Sequence, residues 1–262
     1  MSRYDFNAPR LFVETDLRAG LDVALTRDHA NYLLNVLRLR DGDAVLLFNG
    51  RDGEWRAALS PASRKSIVAR VLDRARSQEQ SRDLHYLFAP LKHARQDYMT
   101  QKAVEMGASR LVPVITRRTQ ASRVNLERMR SNAIEAAEQC GLLAIADIGA
   151  QIGLEALVRD WPNDRLLIFC DEDADIADPI EALRAMGKRE KLAVLIGPEG
   201  GFDPTERAML QDVPDVVVLS LGPRILRADT AAVAALALAQ AVLGDWRGAE
   251  ASLVKDRWEM SR

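Results

Sequence analysis

Apolar and polar positions alternate with two different rhythms along this chain, and the rhythm changes near residue 75. Before it, "AVLLFNG" (44–50), "EWRAALS" (54–60) and "SIVARVL" (66–72) are short runs rich in β-formers. Turn-forming "RDGD" (40–43), "NGRDG" (49–53) and "SPAS" (60–63) separate them. One helical stretch, within "LTRDHANYLLNVLRL", precedes the strands. The pattern predicts a small β-rich domain of barrel type. "DRARSQEQSRD" (73–83) is polar and aperiodic and reads as a linker.

Beyond the linker, strands alternate with helices, the grammar of an α/β sheet. "LHYLFAP" and "RLVPVIT" read as strands. "KHARQDYMTQKAVEMG" reads as a helix with Met99, Ala103 and Met106 on one face and Gly107 as its stop. "NLERMRSNAIEAAEQCG" reads likewise, with Leu126, Met129, Ala133, Ala136 and Cys140 on one face. "RLLIFCDE", "KLAVLIG" and "DVVVLSLG" are continuous apolar runs, as expected of strands buried on both faces. The last helix, read from Thr230, is apolar on nearly every side and must pack on most of them.

Composition narrows this little: 48% hydrophobic and 28% charged residues fit a globular chain of one large domain or two modest ones. The longest charge-free apolar run, Ala231 to Leu243, is too short for a membrane span of about 20 residues, so no membrane partner is expected. The N-terminus "MSRYDFNAPRLFVETD" lacks the apolar core of a secretion signal. Cys140 and Cys170 form no disulfide framework, and His29, His85 and His93 form no zinc pattern. A reducing cytoplasm and no metal are the expectation. The net charge of −2 gives no global support for nucleic-acid binding, although a local basic face would suffice.

Candidate chemistry sits in two loops after the last apolar runs. In "LAVLIGPEGGFDPTERAML" (192–210), Leu195 and Ile196 end a strand, and Gly197, Gly200 and Gly201 permit backbone angles and close approaches that other residues forbid. Asp203-Pro204-Thr205-Glu206 is a strong helix start. The glycines therefore stand at the C-terminal end of a buried strand, where open α/β sheets bind ligands. A tight strand-to-helix turn is the plain alternative. The loop has neither Gly-x-Gly-x-x-Gly nor Gly-Lys-Ser/Thr, so its ligand need not be a phosphate. In "VVVLSLGPRILRADTAAVAALALAQ" (216–240), Gly222-Pro223 turns the chain and Arg224 and Arg227 flank Ile225-Leu226. Two arginines beside buried strands need an anionic partner. It is either Asp229 or Glu199 as an ion pair, or an anionic ligand or RNA phosphate. Asp229-Thr230 can cap the last helix.

"LIGPEGGF" followed by "LSLGPRILRADTA" resembles the C-terminal signature of the RsmE family of ribosomal RNA methyltransferases, of the SPOUT class. "RLFV", "HANYLLNVLRLRDGD", "LKHARQDYMTQKAVEMGASRLVPV" and "EAAEQCG" extend the likeness over the whole chain. The resemblance implies a PUA-like β-barrel RNA-binding domain over 1–74 and an α/β SPOUT methyltransferase domain over 80–262. In the latter, the two loops and the last helix tie a deep trefoil knot that holds S-adenosylmethionine (SAM). Residue patterns alone predict an unknotted Rossmann-like sheet. The cofactor would lie between Leu195, Ile196, Gly197, Gly200 and Gly201 on one side and Leu219, Leu221, Gly222, Ile225, Leu226 and Ala231 on the other.

The reaction implied is methylation of uridine N3 in the 16S rRNA of the small ribosomal subunit, near the decoding centre, by a homodimer. N3 carries a weakly acidic proton that must leave, so a base or a stabilising cation is needed. Arg227 and Arg224 are the candidates for orienting the uracil and stabilising its charge. Glu199 is a candidate base or orienter, or else a structural acid bonded to loop amides. Asp229 is a lesser candidate. Arg10, Arg38, Arg40, Lys102, Arg117 and Arg118 are candidate RNA contacts. Lys102 and Glu105 otherwise form a solvated ion pair. Base stacking would rest on Tyr32, Phe48, Trp55 or Tyr98, all residues commonly found in cores. The chain departs from the family pattern at Leu142, where arginine is usual, Ala146, where proline is, Asp229, where glutamate is, and Asn49, where aspartate is. Rival readings are a methyltransferase of the same fold acting on tRNA or another RNA base, and a non-catalytic RNA-binding ribosome assembly factor.

Overall fold

The structure is a computed structural model that describes residues 8–63, 66–92, 94–120, 123–175 and 178–246, with the backbone alone at 61–63 and 66. Residues 1–7, His93 and 247–262, on which the secretion, metal and second-domain readings partly rest, lie outside the described residues. The chain divides into two compact units: residues 8–81 with Ile134–Ile145, and Arg82–Ala133 with 146–246. Among the described residues, no helix is long and apolar enough to cross a membrane. Nor, among them, do three or more His, Cys, Asp or Glu side chains cluster to hold a metal ion.

The first unit holds β1 (Arg10–Phe12), β2 (Asp22–Ala24), α1 (Arg27–Asn31), a π-helical turn (Tyr32–Val36), β3 (Ala44–Phe48), β4 (Glu54–Ser63) and β5 (Ser66–Arg76). They form one sheet in the order β1-β3-β4-β5-β2, antiparallel except for the β1–β3 pair. Alternate residues of the long strands, Val45 and Leu47, Ala57 and Leu59, Ala69 and Val71, meet Leu11, Val23 and Leu33 in the core. Asn49 builds the turn of "NGRDG": its Oδ1 accepts from the backbone N–H of Arg51 and Asp52, and its Nδ2 donates to Thr15 O and Asp52.

Two sequence expectations fail here. "SPAS" is strand, because β4 outruns β3: their ladder ends at Ala44–Ala58, leaving Pro61 paired to β5 alone, as proline requires. The polar stretch 73–83 is strand at both ends and coil only over 77–82. Two of its charges make cross-strand pairs, Asp73 with Arg56 and Arg76 with Glu54.

Glu54 is fully buried between Arg10 (2.6 Å) and Arg76 (2.8 Å). Arg10 also donates to the carbonyls of Ala137, Glu138 and Leu142, and Arg76 to that of Gly141. These carbonyls close α3 (Leu126–Cys140), whose last turn lacks partners within the helix, so two guanidinium groups cap it. Burial opposes the Glu54 charge, and Arg76 and Arg10 outweigh burial, so the carboxyl titrates below its usual range. Its contribution to stability is therefore present above the unfolded-state pKa and lost as pH falls through the depressed folded value. Glu54→Gln strands two buried cations and should cost about 3–5 kcal/mol. Urea unfolding across a pH series should show both that loss at neutral pH and a shallower acid limb.

The second unit holds β6 (Asp83–Phe88), α2 (Ala94–Glu105), β7 (Arg110–Ile115), the first part of α3, β8 (Asp147–Ile148), β9 (Ile152–Gly153) and α4 (Leu154–Arg159). After them come β10 (Leu166–Cys170), α5 (Pro179–Ala185), β11 (Lys191–Ile196), α6 (Pro204–Gln211), β12 (Val216–Leu219) and α7 (Ala228–Val242). The sheet is parallel, in the order β12-β10-β11-β6-β7-β8, with β9 also on β7. Leu87, Leu167, Phe169, Ala193 and Leu195 pack on one face with Leu154, Phe202 and Leu210. On α7, Ala232, Ala235, Leu236 and Ala239 are buried where it packs on α2, α5 and β11.

α7 starts at Ala228, not Thr230. Arg227, in extended conformation, is the N-cap, and Asp229 sits in the first turn, where its Oδ1 accepts from the backbone N–H and the hydroxyl of Thr230. α2 stops at Glu105, so Met106 lies past its end. Gly107 follows at φ +82°, and a Cβ there would stand 2.4 Å from Nε2 of Gln240, which donates to Met106 O. Cys140 is exposed, whereas Ala133 and Ala136 of its expected face are buried.

Candidate active site

The C-terminal ends of β10, β11 and β12 lie side by side, and their loops enclose a cavity of about 330 Å³. Ile196, Gly197, Glu199, Gly201, Leu219, Leu221, Gly222, Arg224, Ile225, Leu226, Arg227 and Ala231 all line it. The two loops expected to act together thus do so. Leu195 and Gly200 are the exceptions. Side chains alternate along β11, so Ile196 faces the cavity and Leu195 the core beneath. Gly200 lies outside the lining, its carbonyl accepting from Arg118 at 2.8 Å.

Gly197 carries the wall's tightest contact. A Cβ on it would stand 2.4 Å from Cε2 of Phe202, a buried ring packed edge-on against Phe169 at 5.0 Å. Gly201 has φ +67°, closing a turn in which its N–H donates to Pro198 O. The helix start read at Asp203 is real: Asp203 accepts from Thr205 N, and Glu206 accepts from Asp203 N at 3.0 Å. Glu206 is also buried and takes Arg117 N at 2.7 Å, while Arg117 Nη1 reaches Asp203. The glycine loop is thereby tied to the turn after β7. Glu206→Ala leaves both N–H groups unpartnered, and chemical denaturation should show a loss of about 2–3 kcal/mol.

Three carboxylates line the cavity, and two are engaged. Glu199 pairs with Arg95 of α2 rather than with loop amides. Asp171 pairs with Arg207 of α6 at 2.6 Å. Arg224 and Arg227 are exposed and, among the described residues, make neither an ion pair nor a side-chain hydrogen bond, so Asp229 and Glu199 do not neutralise them. Cys170 is held as a neutral thiol: burial, with Asp171 nearby, pushes it up to about 12.

Cys170, Asp171, Glu172 and Phe202 are lining residues that sequence reading missed. The signal was present in "RLLIFCDE", an apolar run ending in acids, but only the strand order sets β10 between the other two.

The expected RNA contacts divide. Arg10 is spent on Glu54 and helix carbonyls and is not a surface group. Lys102 pairs with Glu105 at 2.7 Å, and Arg117 and Arg118 tie down the glycine loop. Arg38 and Arg40 are exposed and make no ion pair among the described residues. Tyr32 and Tyr98 are exposed, whereas Phe48 and Trp55 belong to the core.

Comparison with known proteins fits this arrangement. The chain matches an RNA methyltransferase PUA domain over residues 25–72 and an RNA methyltransferase domain over residues 78–240. Ribosomal RNA small subunit methyltransferase E of Rickettsia conorii is 29% identical over 229 residues, 87% of this chain and 93% of that one. The chain belongs to the RsmE family of RNA methyltransferases. Its fold is similar to that of a Legionella pneumophila methyltransferase solved with SAM, at a TM-score of 0.80 and 27% identity over 91% of this chain and 99% of that one. The RsmE protein of Neisseria gonorrhoeae, also solved with SAM, gives 0.78 and 26% over 92% and 100%.

Proposed function

We propose that this RsmE-family chain holds SAM in the cavity and methylates uridine N3 in 16S rRNA of the small ribosomal subunit, near the decoding centre. The observation that carries the reading is a cavity walled by apolar side chains and bare glycine backbone, with two guanidinium groups at its loop that are unpaired among the described residues. Its volume of about 330 Å³ lies within the roughly 300–1,000 Å³ of small-ligand sites. Ile196, Leu219, Leu221, Leu226 and Ala231 would hold the adenine, and the backbone at Gly197, Gly201 and Gly222 would approach the rest of the cofactor. SAM supplies the electrophilic methyl group.

The chain's part is to bring uridine N3 into line and make it a nucleophile. Arg224 and Arg227 stabilise the charge that develops on the uracil oxygens as N3 loses its proton. Glu199, held by Arg95, orients the base or accepts that proton. Residues 1–74 serve as the PUA-like β-barrel that engages RNA, with Arg38 and Arg40 as phosphate contacts. Residues 80–262 form the SPOUT domain, its two loops and α7 making the trefoil knot. The protein works in the cytoplasm as a homodimer. Ile225, 90% exposed on the cavity loop, suits cover by a second copy.

Transfer of label from SAM to small subunits, and separately to free 16S rRNA, from cells lacking the gene tests the reading. Label recovered as 3-methyluridine is the expected result. Label in another nucleoside would overturn the choice of base. Neither label nor cofactor binding would favour the assembly-factor reading.

A further inference from the structure

Three consecutive acids, Asp171, Glu172 and Asp173, follow β10, and they are treated differently. Arg207 of α6 reaches Asp171 at 2.6 Å and Asp173 at 2.7 Å. Glu172, between them, is exposed, lines the cavity, and makes neither an ion pair nor a hydrogen bond among the described residues. With Asp171 given to Arg207 and Glu199 to Arg95, it is the one unengaged carboxylate on the described cavity wall. Its Oε1 lies against the bare Cα of Gly201, where a Cβ would come within 2.3 Å. Backbone at φ +67° and an absent side chain keep that carboxylate open to the cavity.

We propose that Glu172 is a cofactor-recognition residue that accepts both hydroxyl hydrogens of the ribose of SAM. The inference rests on the cofactor reading above. An ionised carboxylate is an acceptor only, with two oxygens, and a vicinal diol offers two donors at matching spacing. A carboxylate at the C-terminal end of a parallel strand meets a ribose in dinucleotide folds for the same reason. The other donors of SAM sit at its two ends. The adenine amino group goes with the apolar slot of the 219–231 loop. The ammonium lies at the amino-acid end of SAM, beyond the sulfonium, and a ligand that lacks that end tests it separately. Glu172 stands on a different loop, beside Gly201, and takes the middle of the ligand.

Calorimetric titration of the full chain tests this with three ligands: SAM, 5′-methylthioadenosine, which lacks the amino-acid end, and the 2′,3′-dideoxy form of methylthioadenosine. Glu172→Ala is expected to weaken SAM and methylthioadenosine alike, by about tenfold or more. Glu172→Gln should weaken them less, since one acceptor oxygen remains. The dideoxy ligand should bind wild type and Glu172→Ala equally, and ligand-free Tm should not move, because Glu172 holds no partner among the described residues. Methylthioadenosine binding unchanged while SAM binding falls would overturn the proposal by assigning Glu172 to the ammonium. A dideoxy ligand as sensitive to Glu172→Ala as its parent, no change with any ligand, or a Tm loss that accounts for the weaker binding would also overturn it. Wild type that fails to bind SAM would instead overturn the cofactor reading on which this one stands.

Discussion

Arg227→Ala should lower kcat for methyl transfer by about 10²–10³-fold, the usual effect of removing one preorganised donor from a developing anion. SAM affinity should change little, since the charge that Arg227 meets arises on the uracil. Stability should also hold, within about 0.5 kcal/mol. Arg227 caps α7 through its backbone, and its guanidinium breaks no ion pair on removal among the described residues. The pH–rate profile should move to higher pH, because an unassisted N3 proton leaves only in more basic solution. Arg227→Lys should recover little, as an ammonium offers no planar fork to a uracil oxygen. Single-turnover kinetics on small subunits would measure all of this. An unchanged kcat with a raised KM would reassign Arg227 to RNA binding. Arg224→Ala should act in the same direction, and the double variant should fall short of the product of the two because both meet one charge.

Gly197→Ala should reduce SAM affinity by at least about 100-fold and cost about 1–3 kcal/mol of stability, as overpacking does. The added methyl would meet the Phe202 ring at 2.4, 2.9 and 3.0 Å, at Cε2, Cζ and Cδ2. Phe202 is buried and backed by Phe169, so the ring cannot retreat without opening the core beneath the cavity. Gly201→Ala makes a useful contrast. Its clash is with the end of the Glu172 carboxylate, which can swing away, leaving chiefly the left-handed backbone strain of about 1–3 kcal/mol. Pairing Gly197→Ala with Phe202→Leu should restore part of the affinity. Titration calorimetry would decide, and wild-type binding by Gly197→Ala would remove Phe202 from the account.

The strands were legible where burial is continuous. "KLAVLIG" and "RLLIFCDE" admit few other readings, and both loops of the site follow from the glycine and proline that end such runs. Less legible was anything set by a partner distant in sequence. Nothing around Arg10 announces Glu54, 44 positions away, or the carbonyls at the end of α3, so a buried cap looks like a surface arginine. Glu172 was missed because the order β12-β10-β11 is a property of the sheet and not of any one segment. Pro61 and Ser60 speak for a turn locally, and only the length of β3 decides that β4 runs past them. Asp229 fits the composition of a cap, yet the helix begins one residue before it, where the Arg227 carbonyl accepts from Ala231 N.

Cys170 gives the cavity a chemical property of its own. A methyl donor is an alkylating agent, and a thiolate is the most nucleophilic side chain a protein could place in the wall around one. With its pKa pushed up to about 12, only roughly one Cys170 side chain in 10⁵ is ionised at neutral pH. Burial and the adjoining Asp171 carboxylate therefore make this wall residue a poor acceptor for the methyl group of the cofactor proposed above.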